Sequence, residues 1–217
     1  MCLNLIKYGR IKTKSVFLED NYLDCSSDES LKVISDAYRL WADDYSAAAG
    51  SSSKYPLEFY CGEYFRNING CLRNYYEDMS PLASRNEDIR IQELKDIILN
   101  APRLPENVIV YRGVWDYFAK LLVACNKSSS CTTELGFMST TLMFDRYDKL
   151  EEFKNYKHIL KIYATKGTPA IYIDQIRTRY ITGREEQEIL FLPGVSLKMI
   201  KYPYRRNGRM IYECIML

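Results

Sequence analysis

The stretch "GREEQEILFLPG", residues 183–194, is the most informative segment of the sequence for both fold and function. Four of its first six residues are charged, and an apolar run then leads to a Pro-Gly pair. Because the apolar run at residues 189–192 is short and ends at a turn signal, it predicts a buried β-strand. Glu185, Glu186 and Glu188 therefore stand together where that strand leaves the core, although like charges repel one another.

The two-residue period of a β-strand divides these acids into two groups. Residues two apart on a strand share a face. This period predicts that Glu186 and Glu188 point into one cleft, while Glu185 and Gln187 point away. The repulsion within the inward pair is tolerable if each carboxylate faces a positive partner.

Helical patterns dominate the first half of the chain, ahead of this stretch. They lie at residues 26–50, 57–77 and 84–102. The second is expected to be helical on both sides of Gly70, and the third is expected to begin at Asn86 as its N-cap. Residues 1–104 are therefore predicted to form a mainly helical lead-in.

Strand patterns fill the second half. They lie at residues 107–113, 131–142, 157–173, 186–194, 195–204 and 210–217. Asn207-Gly208 predicts a tight hairpin turn before the last strand, since both positions accept positive φ. Helices followed by antiparallel-looking strands predict an α+β fold in one domain, with residues 105–217 as its strand-rich core.

Composition excludes several classes of protein. The chain has 217 residues, is 47% hydrophobic and carries a net charge of +2, which suits a packed core and argues against a nucleic-acid binder. We see no apolar run near the ~20 residues that span a bilayer and no signal-peptide pattern at the start. We also find no GxGxxG after a strand and no P-loop motif.

Cysteine and histidine usage argues against a metal site. The seven cysteines are odd in number and lack CxxC spacing, and His158 is the only histidine. A zinc site of the usual kind and a Ser-His-Asp triad are therefore unsupported. We expect no metal and reduced, mostly buried thiols, as in a protein that works in a reducing cytosol.

Three short pieces of the strand-rich half stand out. They are "VYRG" at residues 110–113, "GFMSTTL" at residues 136–142 and the acidic stretch. Taken singly, each has a structural explanation. Arg112 could be a strand arginine exposed to water, the Ser-Thr-Thr residues could be ordinary β-strand residues, and the acids could lie in a solvated loop.

Taken together and in this order, they resemble the mono-ADP-ribosyltransferases. The resemblance is to the bacterial exoenzyme branch: iota-type binary toxins, insecticidal binary toxins and clostridial Rho-modifying exoenzymes. Three further pieces extend it to about residues 55–217: "YFRNINGCLRNY", "LPENVIVYRG" and "KGTPAIYID". The resemblance implies an ADP-ribosyltransferase fold, with N-terminal helices followed by two packed, mainly antiparallel β-sheets that form an NAD cleft.

The resemblance also implies a reaction and its partners. NAD would be the co-substrate, and the acceptor would be a side chain of a target protein. We expect a bare catalytic unit that is a monomer, binds no nucleic acid, does not span a membrane, and acts in a cytosol after delivery into a host cell.

The chemistry explains why the two acids are needed. Breaking the bond between nicotinamide and ribose gives an oxocarbenium-like transition state, as in glycoside hydrolysis. Nicotinamide leaves as a neutral molecule, so one carboxylate that stabilises the cationic sugar suffices, and the resemblance assigns it to Glu188. Glu186 would orient and deprotonate the acceptor. In the family, Glu at that position accompanies arginine acceptors and Gln accompanies asparagine acceptors, so we expect arginine.

The remaining roles are likewise carried over from the resemblance. Arg112 would bind the NAD diphosphate, and Gly113 would let the backbone approach the nicotinamide amide. Ser139 would hold Glu188 and the nicotinamide ribose in register, next to Thr141, which replaces a second serine. Asn69 and Arg73, in the second helical segment, would face the diphosphate and the adenine ribose. The alternative is that both lie on an exposed surface of the helix.

Two further contacts are expected in loops. Phe153 and Lys157 would clamp the nicotinamide and a phosphate, with Arg146 and Lys154 as rivals of Lys157 for the basic role. Tyr180 would contact the acceptor protein, ahead of the acids.

Three other functions remain open on sequence grounds. The first is NAD glycohydrolysis, in which water is the acceptor. The second is transfer to asparagine, threonine or cysteine. The third is a catalytically silent binding module, against which the intact set of Arg112, Ser139 and Glu188 argues.

Overall fold

A computed structural model describes residues 19–49, 56–74, 81–176, 181 and 185–217. Six helices are described: α1 (Asp28–Ala49), α2 (Pro56–Phe59), α3 (Phe65–Leu72), α4 (Pro81–Asn100), α5 (Asp116–Lys127) and α6 (Arg146–Lys149). In α1, the buried residues Ile34, Tyr38 and Ala42 recur every four positions. They form one apolar stripe, so α1 packs on the rest of the molecule along a single face.

The chain is helical on both sides of Gly70, as predicted, but one helix boundary differs from the prediction. Gly70 lies inside α3, and the interruption falls at Gly62, whose ψ of −135° breaks the wide π-helical turn Tyr60–Tyr64 between α2 and α3. Helix α4 begins at Pro81, so the predicted N-cap at Asn86 is wrong. Proline suits a first helical turn because its fixed φ is already helical and its missing N–H has no helical partner there.

The described residues form nine strands, in the order that the sequence pattern predicts. They are β1 (Val108–Val114), β2 (Thr132–Glu134), β3 (Met138–Thr141), β4 (His158–Ala164), β5 (Ala170–Tyr172), β6 (Glu188–Phe191), β7 (Val195–Met199), β8 (Tyr204–Arg206) and β9 (Arg209–Met216). The turn between β8 and β9 has φ of 49° at Asn207 and 77° at Gly208, which confirms the predicted hairpin.

The predicted pair of packed sheets is replaced by one hydrogen-bonded sheet of nine strands. Its order is β2-β7-β9-β4-β1-β3-β6-β5, with β8 on β9. The two halves meet at β1, which pairs with β4 along seven residues but with β3 only at Tyr111 and Thr141. That single register pair is why two sheets become one continuous ladder. All pairs except β4 with β9 are antiparallel, so the α+β prediction is confirmed.

The two halves of the sheet share one core. Val110 of β1, Leu160 of β4 and Phe191 of β6 belong to the same buried cluster. A second cluster joins α3 and α4 to the opposite face of β6 through Ile68, Leu94 and Leu190. The helical first half therefore packs onto the β3-β6-β5 half of the sheet, and the site lies at this junction.

No group of three or more His, Cys, Asp or Glu side chains within the described ranges is arranged to hold a metal ion. No helix in that same part of the chain has the length and apolarity needed to cross a membrane.

Candidate active site

A buried glutamate at the end of β2 joins the two arginines that the resemblance singles out. Glu134 accepts a hydrogen bond from Nε of Arg73 at 2.9 Å and from Nη2 of Arg112 at 3.0 Å. The backbone N–H of Gly136 donates to the same carboxylate at 2.9 Å. Burial alone would raise the pKa of Glu134, but the two guanidinium groups hold it below its ordinary value. The carboxylate is therefore charged at neutral pH.

Helix α3 contributes Asn69 to this cluster, and Arg73 follows as the C-cap residue of the same helix. The side-chain oxygen of Asn69 accepts a hydrogen bond from the backbone N–H of Phe137 at 2.8 Å. A Cβ at Gly136 would stand 2.7 Å from that oxygen and 3.0 Å from Nη2 of Arg73, so only glycine allows the approach. Both helix residues therefore face the site, and the alternative of an exposed helix surface is wrong for this helix face.

Tyr60 is a site residue that the sequence pattern missed. Its buried hydroxyl accepts a hydrogen bond from Nδ2 of Asn69 at 3.2 Å. Burial raises the pKa of Tyr60, and the charge of Glu188 raises it further, whereas Arg112 lowers it. In an unbroken helix, residues nine apart lie on opposite faces and about 13 Å apart along the axis. The break at Gly62 brings Tyr60 and Asn69 together, and helical periodicity alone could not reveal it.

The register between β3 and β6 places the hydroxyl-bearing residues of the "GFMSTTL" motif beside Glu188, the predicted catalytic acid. Thr141 pairs with Glu188, and Ser139 pairs with Leu190. Paired residues of antiparallel strands share a face, so Ser139, Thr141 and Glu188 line one side of the sheet. Nη1 of Arg112 donates to the backbone oxygen of Ser139 at 2.9 Å, which ties β1 to this pair of strands.

The backbone of the acidic segment is fixed from two sides. The Thr141 hydroxyl donates to the carbonyl of Glu186 at 2.6 Å. On the other side, the Asp174 carboxylate accepts from the N–H of Gln187 at 3.0 Å and from the N–H of Glu188 at 2.9 Å. Asp174 follows β5 in a short 3₁₀ turn, Ile173–Gln175. These bonds hold Glu188 at the first position of β6, where its side chain is buried.

The period-two argument for Glu186 does not hold. Strand β6 begins at Glu188, and Gln187 has φ of 54°, in the left-handed region. Strand alternation therefore cannot relate Glu186 to Glu188. Gln187 turns toward β5, where its side-chain oxygen accepts a hydrogen bond from the hydroxyl of Tyr172. Glu186 is half-buried and Glu185 is exposed.

Gly113 has an aromatic neighbour that the pattern did not predict. A Cβ at this position would stand 2.4 Å from the ring of Tyr156, so the ring lies directly against the backbone. Tyr156 also contacts Trp115 at a ring separation of 5.0 Å. The ring of Phe153 lies 5.2 Å from that of Tyr147 at a tilt of 32°. Phe153 and Tyr156 are both half-buried against the aromatic cluster that includes Ile109 and Tyr111 of β1, and Tyr156 covers Gly113.

The three basic residues considered for a phosphate contact occupy different surroundings. Lys157 is exposed ahead of β4, and in the described part of the chain no side-chain contact links it to the arginine cluster. Lys154 is exposed and pairs with Glu151. Arg146 is mostly buried, and its Nη2 donates to the sulfur of Met143 at 3.5 Å, shortly after β3. Tyr180 and the start of the acidic stretch, residues 182–184, lie outside the described residues.

Sequence reasoning therefore missed four site residues. Two had a signal, since Glu134 and Asp174 are lone acids within or directly after predicted strands, where an unpaired charge is costly. The other two, Tyr60 and Tyr156, are placed by a helix break and by loop packing.

Comparisons with known proteins identify the family and support the fold. The family model of the ADP-ribosyltransferase exoenzymes matches residues 35–210. The fold is similar to that of an ADP-ribosyltransferase from Clostridium botulinum, with a TM-score of 0.61, 16% identity, and coverage of 90% of this chain and 98% of that one. No curated protein sequence matches the chain.

Two structures that contain a nucleotide are similar as well. C3stau2 from S. aureus, solved with NAD, has a TM-score of 0.58 and 20% identity over 82% of this chain and 95% of that one. The ADP-ribosylating toxin BECa of a C. perfringens binary enterotoxin, solved with NADH, has a TM-score of 0.64 and 17% identity, over 90% of this chain and 50% of that one. At these identities the likeness concerns the fold.

The family model covers well over half of the chain. The predicted resemblance is therefore confirmed. The chain belongs to the ADP-ribosyltransferase exoenzyme family, and it is a mono-ADP-ribosyltransferase that uses NAD as its co-substrate.

Proposed function

We propose that the chain transfers ADP-ribose from NAD to an arginine side chain of a target protein. The observation that carries this proposal is the doubly fixed acidic segment. Thr141 holds the Glu186 carbonyl, and Asp174 holds the next two N–H groups. Glu186 and Glu188 are thereby held two residues apart in one fixed segment, and each can serve a different reacting centre.

In this proposal, Glu188 stabilises the ribose cation. It begins β6, opposite Thr141, and its charge reaches the hydroxyl of Tyr60. A fixed negative charge in a water-poor site is the environment that stabilises a developing oxocarbenium ion. Because nicotinamide leaves as a neutral molecule, no second acid is required at this centre. Ser139 lies on the same face of the sheet and would contact the nicotinamide ribose.

Glu186 serves the acceptor in this proposal. A guanidinium is positively charged at neutral pH and is a weak nucleophile until it loses a proton. A half-buried carboxylate two residues before Glu188 can orient the guanidinium by charge-assisted hydrogen bonds and accept that proton. Glu at this position also accompanies arginine acceptors in the family that the sequence resembles. Tyr180 would contact the target protein nearby.

The NAD diphosphate would bind at Arg73 and Arg112. Arg73 keeps part of its guanidinium exposed, since only its Nε is engaged by Glu134. Arg112 is more deeply buried and would contribute its remaining N–H groups. Arg146 is favoured over Lys157 for the further basic contact, because it is mostly buried and bonds Met143, two residues after the Thr141 that ends β3.

Replacing Glu186 with Gln tests the acceptor. Wild-type protein, NAD and a small guanidine such as agmatine should yield ADP-ribosyl-guanidine, and target peptides from a cell lysate should carry the adduct on arginine by mass spectrometry. In the Glu186→Gln variant, transfer should fall by about 100-fold, while hydrolysis of NAD by water stays within about threefold of wild type.

Glu185→Gln is the matched control, because it removes the same charge from the exposed neighbour. It should leave both rates unchanged. Normal guanidine transfer by Glu186→Gln, or adducts on asparagine, threonine or cysteine, would overturn the arginine assignment. NAD consumption by the wild type without any modified protein would favour the glycohydrolase.

A further inference from the structure

Glu134 has a backbone that is fixed independently of its side chain. It is the last residue of β2 and pairs with Val195 of β7. Its carbonyl accepts a hydrogen bond at 2.8 Å from the N–H of Gly194, in the turn that ends the "LPG" motif. The position of its Cα is therefore set by the sheet and not by the arginines.

The Glu134 carboxylate then gathers groups from three separate elements. One oxygen accepts from Arg73 at the C-cap of α3 and from the Gly136 N–H of the β2–β3 loop, and the other accepts from Arg112 of β1. The side chain is only 4% exposed. A charge buried to that extent is costly unless it is paired and hydrogen-bonded. Here each carboxylate oxygen has a charged donor, so the pairing is complete.

The same contacts reduce the electrostatic repulsion between Arg73 and Arg112. Two guanidinium groups brought to one place repel each other, and they come from a helix and a strand with no covalent reason to meet. A shared carboxylate offsets the repulsion and sets their separation. The three side chains together keep a net charge of +1, so the cluster remains attractive to an anion.

We propose that Glu134 is a positioning residue that holds Arg73 and Arg112 side by side as a receptor for the NAD diphosphate. The inference rests on the proposed function, in which these two arginines bind the diphosphate. Glu134 touches neither NAD nor the acceptor and acts only through the arginines. Glu134 would therefore affect the affinity for NAD and not the rate of the chemical step.

An argument from net charge alone and the positioning role predict opposite changes in NAD affinity when Glu134 is replaced. Removing a carboxylate beside two arginines raises the positive potential, and by that argument Glu134→Gln should bind NAD more tightly. If Glu134 positions the arginines, the same variant should bind NAD more weakly, because one guanidinium loses its charged partner and turns away. The sign of the change in affinity therefore separates the two accounts.

Calorimetric titration with NAD and with ADP-ribose tests the sign. In Glu134→Gln, the Kd for both ligands should rise about tenfold, while kcat for NAD hydrolysis at saturation stays within about threefold of wild type. Inhibition by nicotinamide, which has no phosphate, should be unchanged. A general loosening of the site would weaken all three ligands. Glu134→Asp keeps the charge on a shorter stem, so its affinity should lie between those of wild type and Glu134→Gln.

Glu213→Gln is the matched control for the loss of a buried carboxylate. Glu213 is fully buried in β9 and accepts a hydrogen bond from Lys201 at 2.9 Å, outside the arginine cluster. This variant should leave the Kd for NAD unchanged. Unchanged or tighter NAD binding by both Glu134 variants would overturn the inference.

Arg73→Ala and Arg112→Ala separate a failure of this inference from a failure of the site assignment. Both should weaken NAD binding by at least about tenfold, as expected when a charge-assisted phosphate contact is lost. If they do so while the Glu134 variants bind normally, only the positioning role is wrong. If neither arginine variant changes the Kd for NAD, the diphosphate site itself is wrong and the inference falls with it.

Discussion

The two sides of the site carry opposite charge. On one side, Arg73 and Arg112 surround the single carboxylate of Glu134. On the other side, the described residues include four carboxylates, those of Asp174, Glu185, Glu186 and Glu188. Under the proposed function, this difference follows the charges of the two substrates. The NAD diphosphate is anionic, whereas its ribose becomes cationic in the transition state and a guanidinium acceptor is cationic throughout.

The two sides are also held together differently. Opposite charges on the arginine side bond directly to each other, so side chains stabilise side chains. Acids cannot stabilise one another in that way. The acidic side is instead fixed through its backbone, by the Thr141 hydroxyl and the Asp174 carboxylate. Changes on each side should therefore affect different steps, substrate binding on one and catalysis on the other.

Glu188→Ala should give the largest effect. Loss of the charge that stabilises the ribose cation should lower kcat for both ADP-ribosyl transfer and NAD hydrolysis by at least about 10²–10³-fold. The arginine side stays intact, so the Kd for NAD by calorimetry should change by less than about threefold. Persistent hydrolysis in this variant would contradict the assignment of Glu188 to the ribose centre.

Asp174→Ala should give the next largest effect. It removes the acceptor of two consecutive N–H groups, and the segment that carries Glu186 and Glu188 would lose its fixed position. Small displacements of a catalytic group are costly, so kcat should fall by about 10- to 100-fold for transfer and hydrolysis together. The NAD affinity should be nearly unchanged.

Gln175→Ala is the control for Asp174→Ala. It lies in the same short turn but accepts its hydrogen bond from Ser35 of α1 at 2.6 Å. It should leave kcat within about twofold of wild type. Equal losses in the two variants would mean that the turn as a whole matters, and not the carboxylate of Asp174.

The fold was predictable because most of its signals are local. The alternating patterns located the strands, and Asn207-Gly208 located the hairpin, since each depends on neighbours in sequence. The union of two sheets into one depends on a single contact between Tyr111 and Thr141, residues distant in sequence. No local pattern reports such a pairing.

The site was predictable only in part for the same reason. Arg112, Ser139 and Glu188 belong to ordered motifs, and the structure brings Arg112 to the carbonyl of Ser139. The orientation of Glu186 was inferred from strand alternation, which fails because Gln187 adopts a left-handed conformation. Tyr60 reaches the site through a helix break. Strand and helix periods describe regular elements, and functional positions often lie where those elements end.

Thr141→Val compared with Thr141→Ser tests the second support of the acidic segment. Valine keeps the shape but loses the hydroxyl that donates to the Glu186 carbonyl at 2.6 Å. Transfer should fall by about tenfold in Thr141→Val and stay within about twofold in Thr141→Ser, in an assay with agmatine.

Thr140→Val provides the control on the opposite face of β3. Its hydroxyl donates to the carbonyl of Ile189 at 2.9 Å, within the core. Its loss should lower the free energy of unfolding by about 1 kcal/mol while transfer stays near wild type. If Thr140→Val and Thr141→Val reduced transfer equally, the hydroxyl of Thr141 would have no special part in fixing Glu186.

The smallest effect concerns stability in acid. For Glu134 and Glu213, burial alone would raise the pKa, but ion pairs and hydrogen bonds hold it below the ordinary value. As pH falls, the unfolded chain therefore takes up these protons first. The stability that each group contributes is present above about pH 4.3, the usual glutamate pKa, and is lost as pH falls through the lower folded value.

Urea unfolding between about pH 3 and pH 7 should show this loss in the wild type and a flatter acid limb in both Glu134→Gln and Glu213→Gln. The two variants should thus resemble each other in stability, because each removes one buried, paired carboxylate. Only Glu134→Gln should also weaken NAD binding, since only its carboxylate holds the arginines. An acid limb as steep in Glu134→Gln as in the wild type would mean that this carboxylate is not ion-paired in the folded protein, and the charge contrast between the two sides of the site would then lose its physical basis.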